Sequence, residues 1–206
     1  MRIALVMPPL YGVDMPPLGI AYVAGRLMQD GHEVRMFCLN SELFHLNPDK
    51  RYLWDWDSAD EWRSLEGVGA HFDLPALLRE WTDRISCFSP GMVGFSVNSH
   101  SLALAGALAG SIRAAMKGIP LIFGGPMCSE SDISGETCSC VDIYVRREGE
   151  ESVSAIAAAV ESGVDLRTLR LPGTVVNTAF GLRDNGPAEM IGDIDCIPFP
   201  ALATPT

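Results

Sequence analysis

Short, continuous apolar runs alternate with helical patterns along this chain, and that alternation constrains the fold more than any other feature. Residues 3–7, Ile-Ala-Leu-Val-Met, are apolar throughout and stop at Pro8-Pro9. A run without polar alternation is the mark of a strand buried on both faces. A Pro- and Gly-rich loop covers residues 8–17, and residues 18–28 then carry Ile20, Val23, Ala24 and Leu27 at helical spacing. Asp30-Gly31 ends that helix, and residues 32–39 form a second strand on which Val34, Met36 and Cys38 alternate. The pattern resumes with a strand over residues 92–97, an Ala/Leu-rich helix over 102–116 ended by Gly118, and a strand over 120–123. Residues 141–145 give the fifth strand, and 152–160 a last amphipathic helix that stops near Gly163. Strands separated by helices predict a parallel sheet covered on both faces.

The expected architecture is therefore α/β and Rossmann-like: a doubly wound, parallel, five-stranded sheet with the flavodoxin-like strand order. Residues 41–90 depart from the alternation and hold Trp54, Trp56, Trp62 and Trp81. Residues 73–85 read as a helix with Leu74, Leu77, Leu78 and Trp81 on one side, and residues 58–65 as a shorter one. This stretch is an inserted aromatic-rich helical segment or an elongated crossover. Trp and Leu at helical spacing read as core packing; the sharper alternative is an apolar face that covers a ligand or docks a further domain.

The domain organisation that follows is a ligand-binding Rossmann-like domain over residues 1–163, with the insertion at 41–90, and an appendage over 164–206. Within the appendage, residues 174–178 and 188–191 predict a small hairpin around Asp184-Asn185-Gly186. Ile197-Pro198-Phe199-Pro200 reads as an extended linker. A globular domain seldom needs such an ending, so the natural chain is expected to continue.

The chain carries 15 basic and 26 acidic residues, a net charge of −11. Such a surface repels nucleic-acid phosphates and anionic membranes, so neither is an expected partner. No apolar run approaches the ~18 residues of a membrane span, and the apolar opening is too short for a secretory signal. The six cysteines, Cys38, Cys87, Cys128, Cys138, Cys140 and Cys196, are accordingly read as reduced thiols of a cytoplasmic protein. Cys138 and Cys140 with Cys128 fit no structural zinc spacing.

Ligands of open parallel sheets bind beyond the carboxyl ends of the strands. Four unusual loops leave those ends here. Asp14-Met15-Pro16-Pro17-Leu18-Gly19 follows the first strand, and Ser96-Val97-Asn98-Ser99-His100-Ser101 the third. Gly124-Gly125-Pro126-Met127 follows the fourth, and Arg146-Arg147-Glu148-Gly149-Glu150-Glu151 the fifth. Small residues let a large flat ligand approach the backbone, and hydroxyls and free N–H groups anchor it. Each loop also has a plainer role. Gly-Gly-Pro serves as a turn, Ser99 or Ser101 as a helix cap, and the glutamates as acid at a helix N-terminus.

Together these segments resemble the cobalamin-binding domain found at the N-terminus of many radical SAM enzymes. The matching residues are Pro17-Leu18-Gly19-Ile20-Ala21-Tyr22-Val23-Ala24, Gly94-Phe95-Ser96, Gly124-Gly125-Pro126, residues 142–151 (DIYVRREGEE) and residues 194–201 (IDCIPFPA). The last of these resembles the linker before a radical SAM barrel. Cobalamin domains of the methionine-synthase type carry Asp-x-His-x-x-Gly after the first strand. This chain has Asp14, Pro16 and Gly19 at that spacing, and proline cannot ligate cobalt. The resemblance thus implies cobalamin bound base-off, without a protein histidine, its nucleotide tail displaced into the fold.

It also implies residue roles. Tyr11, Pro16, Pro17, Leu18 and Gly19 would lie near the lower corrin face. Ser96, Val97, Asn98 and Ser99 would meet the nucleotide tail or the corrin edge. Gly124, Gly125, Pro126 and Met127 would line the tail groove, and Glu148, Gly149 and Glu150 would hold corrin amides or close the rim. His100 is the rival cobalt ligand at the rim, its plainer role being a polar residue in the first turn of the next helix.

The full enzyme implied would add a [4Fe-4S] cluster and S-adenosylmethionine, held by a C-terminal radical SAM domain. It would use them to make a 5′-deoxyadenosyl radical and to methylate an unactivated carbon of a small-molecule or peptide substrate. Other cobalamin-dependent reactions are open to such an enzyme. The Cys-x3-Cys-x2-Cys motif of that cluster is absent from this sequence, so this chain is expected to be inactive alone. Two other readings stand beside this one: a stand-alone cobalamin carrier or sensor, and a flavodoxin-like domain binding another cofactor. Against the latter, Pro8, Pro9, Pro16 and Pro17 lack the N–H groups of a phosphate nest, and there is no Gly-x-Gly-x-x-Gly.

Overall fold

The computed structural model describes residues 1–129, 139–188, 192, 195 and 197–202. Its first strand, β1 (Arg2–Val6), is buried from Ile3 onward. Helix α1 (Leu18–Gln29) follows; it starts directly after Pro16-Pro17, where a missing N–H costs nothing, and stops at Gly31, which takes φ +89°. Strand β2 (Glu33–Phe37) pairs parallel with β1.

The crossover to β3 (Met92–Ser96) is helical throughout. It comprises α2 (Leu39–Leu46), two 3-10 segments (Pro48–Trp54 and Trp56–Arg63), α3 (Leu65–His71) and α4 (Leu74–Phe88). Asp73 caps α4 by accepting from the Ala76 N–H at 3.1 Å. Next come α5 (Leu102–Ala115), β4 (Leu121–Gly124), the short α6 (Pro126–Ser129), β5 (Ile143–Val145) and α7 (Glu150–Glu161). A 3-10 turn (Leu166–Thr168) then leads to β6 (Thr174–Thr178) and β7 (Gly181–Asp184).

The sheet order is β2-β1-β3-β4-β5-β6-β7. The first five strands are parallel in the expected doubly wound order. The expected count of five is corrected to seven, because β6 pairs antiparallel with β5 and β7 with β6. The hairpin is therefore part of the main sheet. Its reversal lies at Ala179-Phe180, before Gly181 at φ +104°, and its second strand is Gly181–Asp184 rather than residues 188–191. The Asp184-Asn185-Gly186 turn exists, with Asp184 accepting from the Gly186 N–H at 2.9 Å. It redirects the chain after β7 instead of joining the two strands. Residues 189–191 lie outside the described residues.

Two cores cover the two faces. One packs Val6, Phe95, Phe123 and Tyr144 under α4 and α5, and includes Trp62 and Trp81. The aromatic segment thus packs mainly as core. Trp62 is 1% exposed, while Trp56 is 89% exposed. The other core sets Ile3, Leu5, Met92, Ile122 and Ile143 against α1 and α7. Each fully buried aliphatic side chain contributes roughly 1.5–3 kcal/mol. Outside this second core, α1 and α7 are joined by polar contacts. Arg26 donates to Asp30 at 3.2 Å and to Glu151, and the Ser154 hydroxyl donates to Asp30 at 2.6 Å. Among the described residues no helix is long and apolar enough to cross a membrane.

Candidate functional site

On the α1/α7 side, the carboxyl ends of β1, β3, β4 and β5 open into a cleft of about 660 Å³. Its floor is Leu5 and Met7 of the first strand segment, Gly94 of β3, Ile122 of β4 and Val145 of β5. Leu5 is in register with Gly94, and Gly94 with Ile122. The missing side chain at Gly94 helps open the floor: a Cβ there would come within 3.0 Å of Leu5 Cδ2. One wall is Gly19, Ile20 and Val23 of α1, and the facing wall is Gly149, Glu150 and Val153 at the start of α7. Tyr11, Pro17, Ser96, Gly125, Pro126 and Glu148 edge the mouth.

The Gly124-Gly125 turn is forced by its surroundings. Gly125 takes φ +100°, and a Cβ there would stand 2.7 Å from the Val97 carbonyl oxygen. The Val97 N–H donates to Gly124 O at 2.8 Å, and the Met127 N–H donates to Val97 O at 3.2 Å. A side chain at Gly125 would break this seam between the third and fourth loops.

Most of the residues singled out in the sequence meet at this cleft. Tyr11, Pro17, Gly19, Ser96, Gly124, Gly125, Pro126, Glu148, Gly149 and Glu150 all line it. The remaining six do not. Pro16 and Leu18 are exposed beside the mouth. Val97 is buried and braces the glycine turn through its backbone. Asn98 accepts from the His100 and Ser101 N–H groups at 3.0 Å and donates to the Leu10 carbonyl at 2.9 Å, so it ties loops together. Ser99 is exposed beside the His100 ring. Met127 packs on the opposite core. Ser101 precedes α5, but its hydroxyl accepts from the Asn98 N–H at 2.9 Å instead of capping the helix.

Sequence reasoning missed the apolar floor, as well as Arg147 and Ala188. Leu5, Ile122 and Val145 read as ordinary strand core. Their parity with Gly94 on one sheet face was the available signal. Arg147 lies at the lip with φ +58°, a backbone state uncommon for non-glycine residues. Ala188 carries no local signal.

Two features define the cleft's chemistry. The first is Glu150, whose Oε2 is buried with no hydrogen-bond partner among the described residues. A carboxylate oxygen only accepts, so a ligand there is expected to present an N–H or O–H group. The second is that none of the described lining residues is histidine or cysteine. His100 lies outside the lining, its Nε2 3.3 Å from Arg63 Nη2 and its Nδ1 3.4 Å from Ser99 Oγ. Among the described residues no cluster of three or more His, Cys, Asp or Glu could hold a metal ion. Cys38, Cys87 and Cys140 are free thiols. Burial raises the pKa of Cys38 and of Cys140 above the ordinary thiol value, so neither is an activated nucleophile. Cys138 and Cys196 lie outside the described residues.

The strand order, with the cleft at its carboxyl edge, defines a Rossmann-like, doubly wound α/β fold. Solved structures share it. The radical S-adenosylmethionine methyltransferase TsrM of Kitasatospora setae, with cobalamin and a [4Fe-4S] cluster bound, matches with TM-score 0.61 and 19% identity. That match covers 96% of this chain and 31% of TsrM. The cobalamin-dependent S-adenosylmethionine radical enzyme OxsB matches with TM-score 0.62 and 14% identity, over 98% of this chain and 24% of that one. At these identities the likeness shows the fold.

Curated relatives are an uncharacterized methyltransferase of Pyrococcus horikoshii, 22% identical over 209 residues, and the anaerobic magnesium-protoporphyrin IX monomethyl ester cyclase of Synechocystis, 26% identical over 204. These matches cover 98% and 95% of this chain but 38% and 34% of the relatives. The chain thus spans about a third of the length of the curated proteins it matches. No protein-family model matches it.

Proposed function

We propose that this chain binds cobalamin base-off and without a protein histidine, and presents it to a radical SAM domain for methyl transfer to an unactivated carbon. The single observation that carries the reading is the cleft at four strand ends, whose apolar floor is opened by Gly94. Its apolar floor suits the flat base of the nucleotide tail, while the polar mouth suits the corrin edge, whose amides both donate and accept. Glu150 Oε2, buried and without a partner among the described residues, supplies an acceptor for a ligand N–H or O–H. The absence of histidine from the described lining supports cobalt without an imidazole beneath it.

In this reading Tyr11, Pro17 and Gly19 support the lower corrin face, and Ser96, Gly124, Gly125 and Pro126 flank the tail. Glu148, Gly149 and Glu150 hold the corrin edge from α7. Bound cobalamin supplies the cobalt-carried methyl group; the chain's own work is to bind, orient and shield it. The segment 197–202 lies along α1, with the Ala201 N–H donating to Ala21 O at 2.9 Å. We read it as the start of the connection to a C-terminal radical SAM domain, which would bring the cluster, S-adenosylmethionine and the substrate. The free thiols of Cys38, Cys87 and Cys140 support a reducing, cytoplasmic setting.

The test is to mix the purified chain with hydroxocobalamin, remove free ligand by gel filtration and record the visible spectrum. Co-eluting corrin with a base-off spectrum is expected. An imidazole-ligated spectrum would favour a histidine-bound carrier or sensor. No retained corrin, with the fold intact by circular dichroism, would overturn the reading in favour of a flavodoxin-like domain with another ligand.

A further inference from the structure

The loop between β1 and α1 carries Tyr11 to the mouth of the cleft. It contains Pro8, Pro9, Pro16 and Pro17, none of which can donate a backbone hydrogen bond. Something else has to hold it, and the chief holder is one buried side chain. Asn40 is 1% exposed. Its backbone N–H donates to Met7 O at 3.1 Å. Its side-chain Oδ1 accepts from the Tyr11 N–H at 3.1 Å, and its Nδ2 donates to the Tyr11 carbonyl at 3.1 Å. The side-chain amide thus pairs with both backbone groups of Tyr11, as a neighbouring strand would.

Asn40 Oδ1 has a second donor, the Trp54 indole N–H at 2.8 Å. Trp54 in turn packs edge-on against Trp62 at 4.9 Å and Phe44 at 5.4 Å between ring centroids. The inserted segment therefore reaches the cleft through one amide. Asn98 completes the support from the third loop, donating to Leu10 O at 2.9 Å.

We propose that Asn40 is a positioning residue for the ligand site, and that the tryptophan-rich segment serves that site by fixing the Asn40 amide. The inference rests on the reading that the cleft binds a corrin. Its prediction is directional. Removing the amide frees Tyr11 and weakens ligand binding while the sheet beneath is unchanged.

The experiment compares Asn40→Ala, Trp54→Phe and the parent 206-residue chain by amide hydrogen exchange and by hydroxocobalamin titration. In Asn40→Ala the Tyr11 amide is expected to lose protection while Ile3 to Val6 of β1 keep theirs. The dissociation constant is expected to rise at least tenfold, with a changed visible spectrum of the residual complex. Trp54→Phe keeps a ring in place and removes only the indole donor, so it is expected to give the same changes in smaller measure with a fully folded chain. If the parent retains no corrin, the functional reading fails and takes this inference with it. If the parent binds and both variants bind equally well with the same spectrum, the inference fails alone. Loss of protection spread over β1 as well as Tyr11 would mark Asn40 as a general stability residue and would also overturn it.

Discussion

The Phe199 carbonyl oxygen lies 2.3 Å from where a Cβ on Gly25 would stand. The 197–202 segment can therefore rest on α1 only because Gly25 has no side chain. In an exposed helix, Gly→Ala would gain up to about 1 kcal/mol. Here the new methyl displaces the segment, which is anchored by the Ala201 N–H to Ala21 O and a partly buried Ala201. The helix is the stiffer partner, so the segment is expected to lift. Gly25→Ala is expected to leave the melting temperature nearly unchanged and to speed hydrogen exchange at the Ala201 amide, whose bond to Ala21 O is lost when the segment lifts. An unchanged exchange rate would show that the segment is not held there.

Two glycines of the cleft separate stability from binding. At Gly125, φ is +100° and a Cβ would meet Val97 O at 2.7 Å. Gly125→Ala is expected to lose about 1–3 kcal/mol of stability, the range for a strained backbone state. At Gly94 the nearest atom to a new Cβ is Leu5 Cδ2 at 3.0 Å, the end of a side chain that can turn. Strand alanine is also favoured over glycine by roughly 0.5–1 kcal/mol. Gly94→Ala is thus expected to keep its stability within about 1 kcal/mol of the parent but to narrow the floor and weaken hydroxocobalamin retention. Urea unfolding and ligand titration on both variants check this. Equal retention by parent and Gly94→Ala would show that the floor is not part of the site.

The division between legible and hidden features has a physical basis. Four of the five parallel strands, β1, β3, β4 and β5, were readable because they are buried on both faces, which leaves a continuous apolar run such as Ile3 to Met7. The edge strand β2 was readable from the alternation of Val34, Met36 and Cys38. The hairpin was readable in existence but not in register. Asn185-Gly186 carries a strong turn signature, whereas the real reversal depends on Gly181 and on the Thr178 hydroxyl, which accepts from the Phe180 N–H at 3.1 Å and donates to Gly181 O at 2.7 Å. At the cleft, glycines and loop residues were readable because close backbone approach demands small residues. Leu5, Ile122 and Val145 were not, since whether a strand residue is core or floor depends on how the helices above it are spaced. Val97 and Asn98 show the converse. They belong to the right loops, yet they act by bracing the backbone of Gly124 and Leu10.

The contact between α1 and α7 carries a pH dependence. Burial pushes the Asp30 carboxyl upward, but hydrogen bonds from Ser154 and Arg26 and the Arg26 charge outweigh it, so its pKa lies below the ordinary value of 3.8. A carboxylate with a lowered folded-state pKa contributes stability above its unfolded value and loses it as pH falls through the folded value. Asp30→Asn is expected to lower the melting temperature slightly at pH 7, and the gap to the parent is expected to close below about pH 4, near the unfolded carboxylate pKa. The group is largely solvated, so the effect is small. Melting curves from pH 3 to pH 7 check it. A gap that widens in acid would reverse the assigned sign.

Glu150 gives the most direct test of what the cleft holds. In the ligand-free chain its Oε2 is buried without a partner among the described residues, a cost that a neutral amide would reduce. The carboxylate also sits in the first turn of α7, where a negative charge contributes about 0.3–1 kcal/mol. The two effects oppose one another, so Glu150→Gln is expected to alter stability by no more than about 1 kcal/mol. Binding is expected to respond more strongly. A hydrogen bond to a charged acceptor is worth about 1.5–3 kcal/mol, and exchanging it for a neutral one should raise the hydroxocobalamin dissociation constant roughly tenfold. Isosteric Gln keeps one acceptor oxygen, so Glu150→Leu, which has none, is expected to bind more weakly still. That rank order of parent, Gln and Leu, measured by titration at one pH and salt, separates acceptance of a ligand N–H or O–H from mere shape. Tighter binding by Leu would mean that the wall beside Val153 meets an apolar part of the ligand instead.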